Sequence, residues 1–144
     1  MTIGYRIEND LVIVIPRGIN TLGAVCRIFD VILADPAFNF PAKILFDARH
    51  TDYGPPGEEL EALSEYLAGI EAFRDSRWAI VANSNTLIYG LTRMFCCLAE
   101  SQGICVEPFS DVEAARQWLI TSNKDYQNGN GLSNRAFLPD RISF

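Results

Sequence analysis

The feature that most constrains this chain is the regular alternation of short apolar runs with longer amphipathic segments. The runs LVIVIPRG at 11–18, KILFD at 43–47 and RWAIVAN at 77–83 are typical of buried strands. In the segments between them, apolar residues recur every three or four positions, which is typical of helices packed on a sheet. Strands that alternate with helices are joined by right-handed crossovers, so the pattern predicts a largely parallel sheet.

The predicted fold class is α/β, with a mostly parallel mixed sheet of four or five strands, about four helices and the order ββαβαβαβα. The first strand, in IGYRIEND, should pair antiparallel with the second, and pairing of the second strand should stop at Pro16 because proline has no N–H. Pro108 places the fifth strand, ICVEPF, towards an edge of the sheet. Residues 1–120 form one domain, and 121–144 form a tail that packs on its own domain or on a partner chain.

Capping residues predict where the helices begin and end. Asn20 or Thr21 should open the first helix. Asn85 should cap the third helix, and Gly103 should end it as a left-handed residue. The motif SDVE at 110–113 predicts a capping box for the fourth helix. The spacing of apolar residues predicts the buried face of the third helix: Leu87, Leu91, Met94 and Leu98.

Composition excludes several classes of function. The chain has 144 residues, the size of one domain, and a net charge of −6, which disfavours binding to nucleic acid and to anionic membranes. Its apolar runs are too short to insert into a membrane, and it lacks a signal peptide, so a cytoplasmic protein is expected. The four cysteines form no CxxC pair, and with a single histidine the chain predicts neither a metal site nor a cofactor.

A binding site is expected at one edge of the sheet. In open α/β sheets, ligands bind beyond the carboxyl ends of the strands. The residues that follow the second, third and fourth strands, together with one arginine on the third helix, form the candidate binding rim: Arg17, Asp47, Arg49, His50, Tyr53, Asn83, Asn85 and Arg93.

The rim residues have both catalytic and structural interpretations. Asp47 has the chemistry of a general base, but an Asp at a strand end also accepts backbone N–H bonds. His50 has the chemistry of a proton shuttle, or is a solvated loop residue. Arg49 is expected to pair with a nearby carboxylate, at 47, 52 or 58. The chain has neither a nucleophile elbow nor a glycine-rich phosphate loop, so no catalytic residue is assigned.

Several longer stretches resemble a known family. ADPAF with LFDAR, YGLTRMF with AESQGI, and FSDVEAARQWL are similar to the SpoIIAA-like family, whose fold is that of the STAS domain (sulphate transporter and anti-sigma-factor antagonist). The resemblance covers residues 3–120. It implies a small cytoplasmic bacterial protein that works as a regulatory or binding module and not as an enzyme. A related architecture occurs in CRAL-TRIO-type carriers of lipophilic molecules.

The resemblance also implies a position for a phosphorylation switch. Anti-sigma-factor antagonists carry a phosphorylated Ser or Thr just after the strand that matches KILFD. The hydroxyl typically lies in the pattern Asp-x-Ser before a helix; here Asp47 matches the Asp, but Arg49 stands where the Ser would be. Thr51 is the nearest hydroxyl and is an unlikely phosphosite.

These observations predict a non-catalytic STAS-like regulatory or protein-interaction module that forms a homodimer and binds a protein partner. The alternative is a carrier or sensor of a small lipophilic ligand. A phosphorylation-switched anti-sigma-factor antagonist is a weaker alternative, and an enzyme that uses Asp47 and His50 is the weakest of all.

Overall fold

The fold is built around a mixed five-stranded sheet. The computed structural model describes residues 2–8, 10–18, 20–39, 41–52 and 54–128. Neighbouring strands in the sheet follow the order of the sequence; β1 pairs antiparallel with β2, and β2 to β5 run parallel. The α/β class predicted from the sequence is therefore confirmed. The strands are β1 Thr2–Glu8, β2 Leu11–Arg17, β3 Lys43–Asp47, β4 Arg77–Val81 and β5 Cys105–Phe109.

Five α-helices and a short 3₁₀ helix lie in the described residues. Two elements are additional to the sequence prediction: the short helix α3 and the 3₁₀ helix. The last helix runs past residue 120, where the predicted tail begins, while residues 129–144 lie outside the described residues and their packing stays a prediction. The helices are α1 Leu22–Ala34, the 3₁₀ helix Ala48–His50, α2 Gly57–Ala68, α3 Glu71–Arg74, α4 Leu87–Ser101 and α5 Val112–Asn128.

The helices cover the two faces of the sheet unequally. Helices α1, α2 and α4 pack on one face, where Phe29, Phe73 and Trp78 are fully buried with ring centroids 5.2 to 5.7 Å apart. Among the described residues, α5 alone packs on the other face, where Ala115 and Leu119 form a cluster with buried residues of β2, β3 and β4. Part of that second face, towards β1, is therefore left open by the described residues.

Two predicted features of α4 need correction. Thr86, not Asn85, caps the helix, because its hydroxyl accepts the Tyr89 N–H at 3.1 Å. The buried face consists of Thr92, Phe95, Cys96 and Ala99, whereas Leu87 and Met94 of the predicted face are exposed. The two stripes are adjacent and have similar spacing, so periodicity alone cannot show which one faces the sheet.

The C-terminus of α4 is as predicted. Gly103 has φ +88°, and two backbone bonds close a Schellman motif: Gly103 N–H to Glu100 O and Ile104 N–H to Ala99 O, each 3.0 Å. The helix therefore ends at a defined point and leads directly into β5.

Two other local predictions are wrong. Pairing of β1 with β2 continues through Pro16 to the pair Thr2–Arg17. An antiparallel ladder uses the N–H of alternate residues only, and parallel pairing of β2 with β3 has already ended at Val14, so a proline is tolerated there. Asp111 caps α5 in place of the predicted Ser110, since its carboxylate accepts the Ala114 N–H at 3.1 Å.

Candidate functional site

The carboxyl ends of β2 and β3 are held together by backbone hydrogen bonds. Gly18 N–H donates to His50 O at 3.0 Å, and Asp52 N–H donates to Gly18 O at 2.8 Å. Gly18 and Thr51 form an isolated parallel bridge there. Gly18 has φ +72°, a left-handed conformation that residues with a Cβ adopt only with strain. The glycine thus allows β2 to turn into this contact.

Two buried polar side chains complete the contact. Asn20 Nδ2 donates to Thr51 Oγ1 at 3.0 Å and to the carbonyl oxygens of Arg17 and Gly18 at 3.2 Å each. Thr51 Oγ1 donates to Gly18 O at 2.9 Å. Both side chains are more than nine-tenths buried. We call this arrangement the clasp; it consists of Gly18, Asn20, His50, Thr51 and Asp52.

Asp47 and Arg49 form a tight ion pair beside the clasp. Asp47 Oδ1 accepts from Arg49 Nε at 2.8 Å and from its backbone N–H at 3.1 Å, and Oδ2 accepts from Nη2 at 2.8 Å. Burial acts to raise the pKa of Asp47, but the hydrogen bonds and charge of Arg49 outweigh it, so the pKa lies below its usual value. Of the three carboxylates expected to pair with Arg49, Asp47 is the one that does. Its carboxylate is stabilised as an anion, and both of its oxygens accept hydrogen bonds from Arg49.

Four of the candidate rim residues line one pocket on the α5 face of the sheet. The pocket has a volume of about 220 Å³, and Arg6 of β1 and Arg116 of α5 also line it. Neither arginine is among the rim residues predicted from the sequence. Alternation along β1 places Arg6 on the face opposite the half-buried Tyr5 and Ile7, but no sequence signal says that α5 leaves this area uncovered. We call it the arginine pocket; its polar lining is Arg6, Arg17, Asp47, Arg49, His50 and Arg116.

The remaining rim residues lie elsewhere. Asn83 is exposed and reaches Arg49 O at the long distance of 3.5 Å. Asn85 is exposed and has φ +63°, so it turns the chain into α4. Arg93 is exposed on α4 and does not line the arginine pocket. Tyr53 lies outside the described residues.

An apolar cavity lies on the opposite face, between the sheet and helices α1, α2 and α4. Phe29, Leu63, Trp78 and Phe95 are among its lining residues, and its volume is about 70 Å³. Ligand pockets usually have about 300–1,000 Å³, and a dry cavity of roughly 150 Å³ holds benzene. The cavity as it stands is therefore too small for a fatty acid.

The described part of the chain offers no obvious place for a metal. It contains no group of three or more His, Cys, Asp or Glu side chains that could hold an ion. Among the same residues, no helix is both long and apolar enough to cross a lipid bilayer.

No protein-family model matches the sequence, and a search of curated proteins finds no significant match. The resemblance to the SpoIIAA-like family therefore stays a prediction based on the sequence motifs.

We expect Gly18→Ala to lower the free energy of unfolding by about 1–2 kcal/mol, because alanine is strained at the left-handed φ of this position. The matched control is Gly23→Ala in α1, where an added Cβ meets nothing within 4 Å. That change should raise the stability by up to about 1 kcal/mol. Urea denaturation measures both, and equal effects of the two substitutions would contradict the role given to Gly18.

The Asp47–Arg49 pair predicts a pH dependence. Because the pKa of Asp47 is lower in the folded state than in the unfolded state, the pair stabilises the fold fully above the unfolded pKa of about 3.9 and is lost as the pH falls below it. The stability difference between wild type and Asp47→Asn should therefore be constant near neutral pH and shrink in acid. Asp52→Asn, at an exposed carboxylate nearby, controls for net charge. A difference that grows as the pH falls would refute the assignment.

Proposed function

We propose that this chain is a non-catalytic interaction module of the STAS type, which acts through protein contacts and pairs with a second copy of itself. The observation that carries the proposal is an apolar stripe on the outer side of α4. The element order, with α3 added to ββαβαβαβα, is compatible with this type of module.

The α4 stripe consists of Leu87, Leu91, Met94 and Leu98. Leu87 is 74% exposed and Met94 is 47% exposed, while Leu91 and Leu98 are half-buried. These four residues follow one another along a single side of the helix. Single exposed apolar residues are common on protein surfaces and need no explanation. A contiguous apolar surface, in contrast, is characteristic of protein contact sites.

The spacing of the stripe favours a second copy as the occupant. Its steps of four, three and four residues read the same in both directions, as an antiparallel contact around a two-fold axis requires. Such a contact places Leu87 opposite Leu98 of the second copy, and Leu91 opposite Met94. The same steps are those of the apolar positions in a coiled coil.

The surroundings of the stripe are compatible with close self-association. Two exposed residues flank it: Gly90, which has no side chain, and Cys97, whose side chain is small, so two helices can approach closely. Between residues 87 and 98 the helix carries one charged residue, Arg93, and no acidic one. Although the net charge of the chain is −6, this stretch of α4 therefore has no negative charges that would repel a second copy.

The state of the rim supports a non-catalytic role. The carboxylate of Asp47 is occupied by Arg49, and its lowered pKa does not suit a general base at neutral pH. The Thr51 hydroxyl is buried and donates to Gly18 O, so a kinase would reach it only after the clasp opens. The phosphorylation switch is thus the weaker alternative.

A lipophilic carrier ranks second. The apolar cavity provides a suitable lining but has a volume of only about 70 Å³, so a ligand would have to push α2 and α4 apart. Saturable uptake of a fluorescent fatty acid by the purified protein would favour this alternative over the interaction module.

We expect the wild-type chain to be a dimer at micromolar concentrations and the Leu87→Ser/Met94→Ser variant to be a monomer. Light scattering coupled to size-exclusion chromatography measures the mass, and thermal unfolding checks that the variant folds. Val31→Ser is the matched control, because Val31 on α1 has the same 47% exposure as Met94 but lies outside the stripe. A monomeric wild type, or dissociation by Val31→Ser to the same extent, would overturn the proposed dimer.

A further inference from the structure

We propose that the arginine pocket binds a small organic anion, a molecule with a carboxylate or phosphate group on a short apolar body. The pocket lies on the α5 face, whereas α4 lies on the opposite face. The inference is therefore independent of the proposed self-association.

The pocket concentrates positive charge in an acidic chain. Four guanidinium groups line it, at positions 6, 17, 49 and 116, together with the exposed His50. Asp47 neutralises one of them, and Glu8 is shared by two. Asp111 adds a negative charge that acts on Arg49, but its carboxylate caps α5. Guanidinium groups thus outnumber carboxylates around the pocket, although the net charge of the whole chain is −6.

The arginines differ in how firmly they are engaged. Arg49 is bound to Asp47 through two bonds of 2.8 Å each. Arg6 holds Glu8 at 2.7 Å, which leaves Arg116 with a longer contact of 3.7 Å to the same carboxylate. For Arg17, the structure of the described residues gives no ion pair. Arg17 and Arg116 therefore have donors available for an oxyanion, and guanidinium groups bind carboxylate and phosphate through paired N–H bonds.

The floor of the pocket is apolar. Ile13 and Leu45 are register partners on β2 and β3, and Ile15 and Val112 extend the same surface. Ile13 and Leu45 are buried, whereas Ile15 and Val112 are half-buried. Helix α5 packs mainly over β3 and β4 and meets β1 through Arg116, which lies 3.7 Å from Glu8, so the pocket lies between these contacts. An apolar floor with cationic walls suits an amphiphilic anion better than a free inorganic ion.

The size of the pocket favours a small molecule. Its volume of about 220 Å³ is below that of a typical drug-sized site, so a single ring with one anionic group is an appropriate occupant. A neighbouring groove shares Arg6, Ile15 and Arg17 and leaves room for a longer ligand. An anionic membrane is a less suitable source of the oxyanion, because the net charge of the chain repels it.

Isothermal titration calorimetry with phenyl phosphate, benzoate, inorganic phosphate and neutral benzyl alcohol tests the inference. We expect saturable binding of phenyl phosphate or benzoate, weaker binding of inorganic phosphate and none of benzyl alcohol. Arg17→Gln and Arg116→Gln should each weaken binding by about tenfold, the loss of roughly one charge-assisted contact. Binding should also weaken as salt is added.

Arg93→Gln is the matched control, because Arg93 is an exposed arginine on α4, away from the pocket. It should change the affinity less than twofold. Three results would overturn the inference: no saturable binding of either aromatic anion, equal losses in Arg17→Gln and Arg93→Gln, or binding of a polyglutamate peptide alone. The last result would identify a surface for an acidic protein. None of these results bears on the mass of the protein, so the two proposals fail separately.

Discussion

The clasp between the ends of β2 and β3 is the contact on which the geometry of the rim depends. One carbonyl oxygen, that of Gly18, accepts from Asn20 Nδ2, Thr51 Oγ1 and the Asp52 N–H, and the Gly18 N–H is held by His50 O. Because these donors and acceptors are hydrogen-bonded to one another, the segments after β2 and β3 are held at a fixed separation. Arg17 is the last residue of β2 and Arg49 follows β3, so both residues line the same pocket.

The uneven cover of the sheet gives its two faces different roles. Three helices close one face over an aromatic core, and the cavity that remains there is about 70 Å³. One helix on the other face cannot cover five strands, and the exposed part of β1 and β2 carries Arg6 and Arg17. The first face therefore contains the main core and carries α4, for which we propose a partner, while the second face contains the arginine pocket.

Sequence periodicity predicted the five strands, their alternation with helices along the chain and the antiparallel pairing of β1 with β2, because these depend on local patterns and on the rules of parallel sheets. It could not orient α4, which has two apolar stripes of similar spacing; the one with Phe95 and Ala99 packs inside. It also missed Arg6 and Arg116, which reach the rim residues only through tertiary packing. Asp47 and Arg49 were placed correctly at the strand end, but their pairing depends on side-chain geometry that no spacing rule supplies.

Amide hydrogen exchange by NMR tests most directly whether the clasp fixes the rim. The amides of Gly18 and Asp52 donate to His50 O and Gly18 O, so they should be protected as strongly as the strand amides of Val14 and Leu45. Slow exchange at both positions is the result that this account predicts. Exchange of these two amides at the rate of an unstructured peptide, while the strands stay protected, would contradict it.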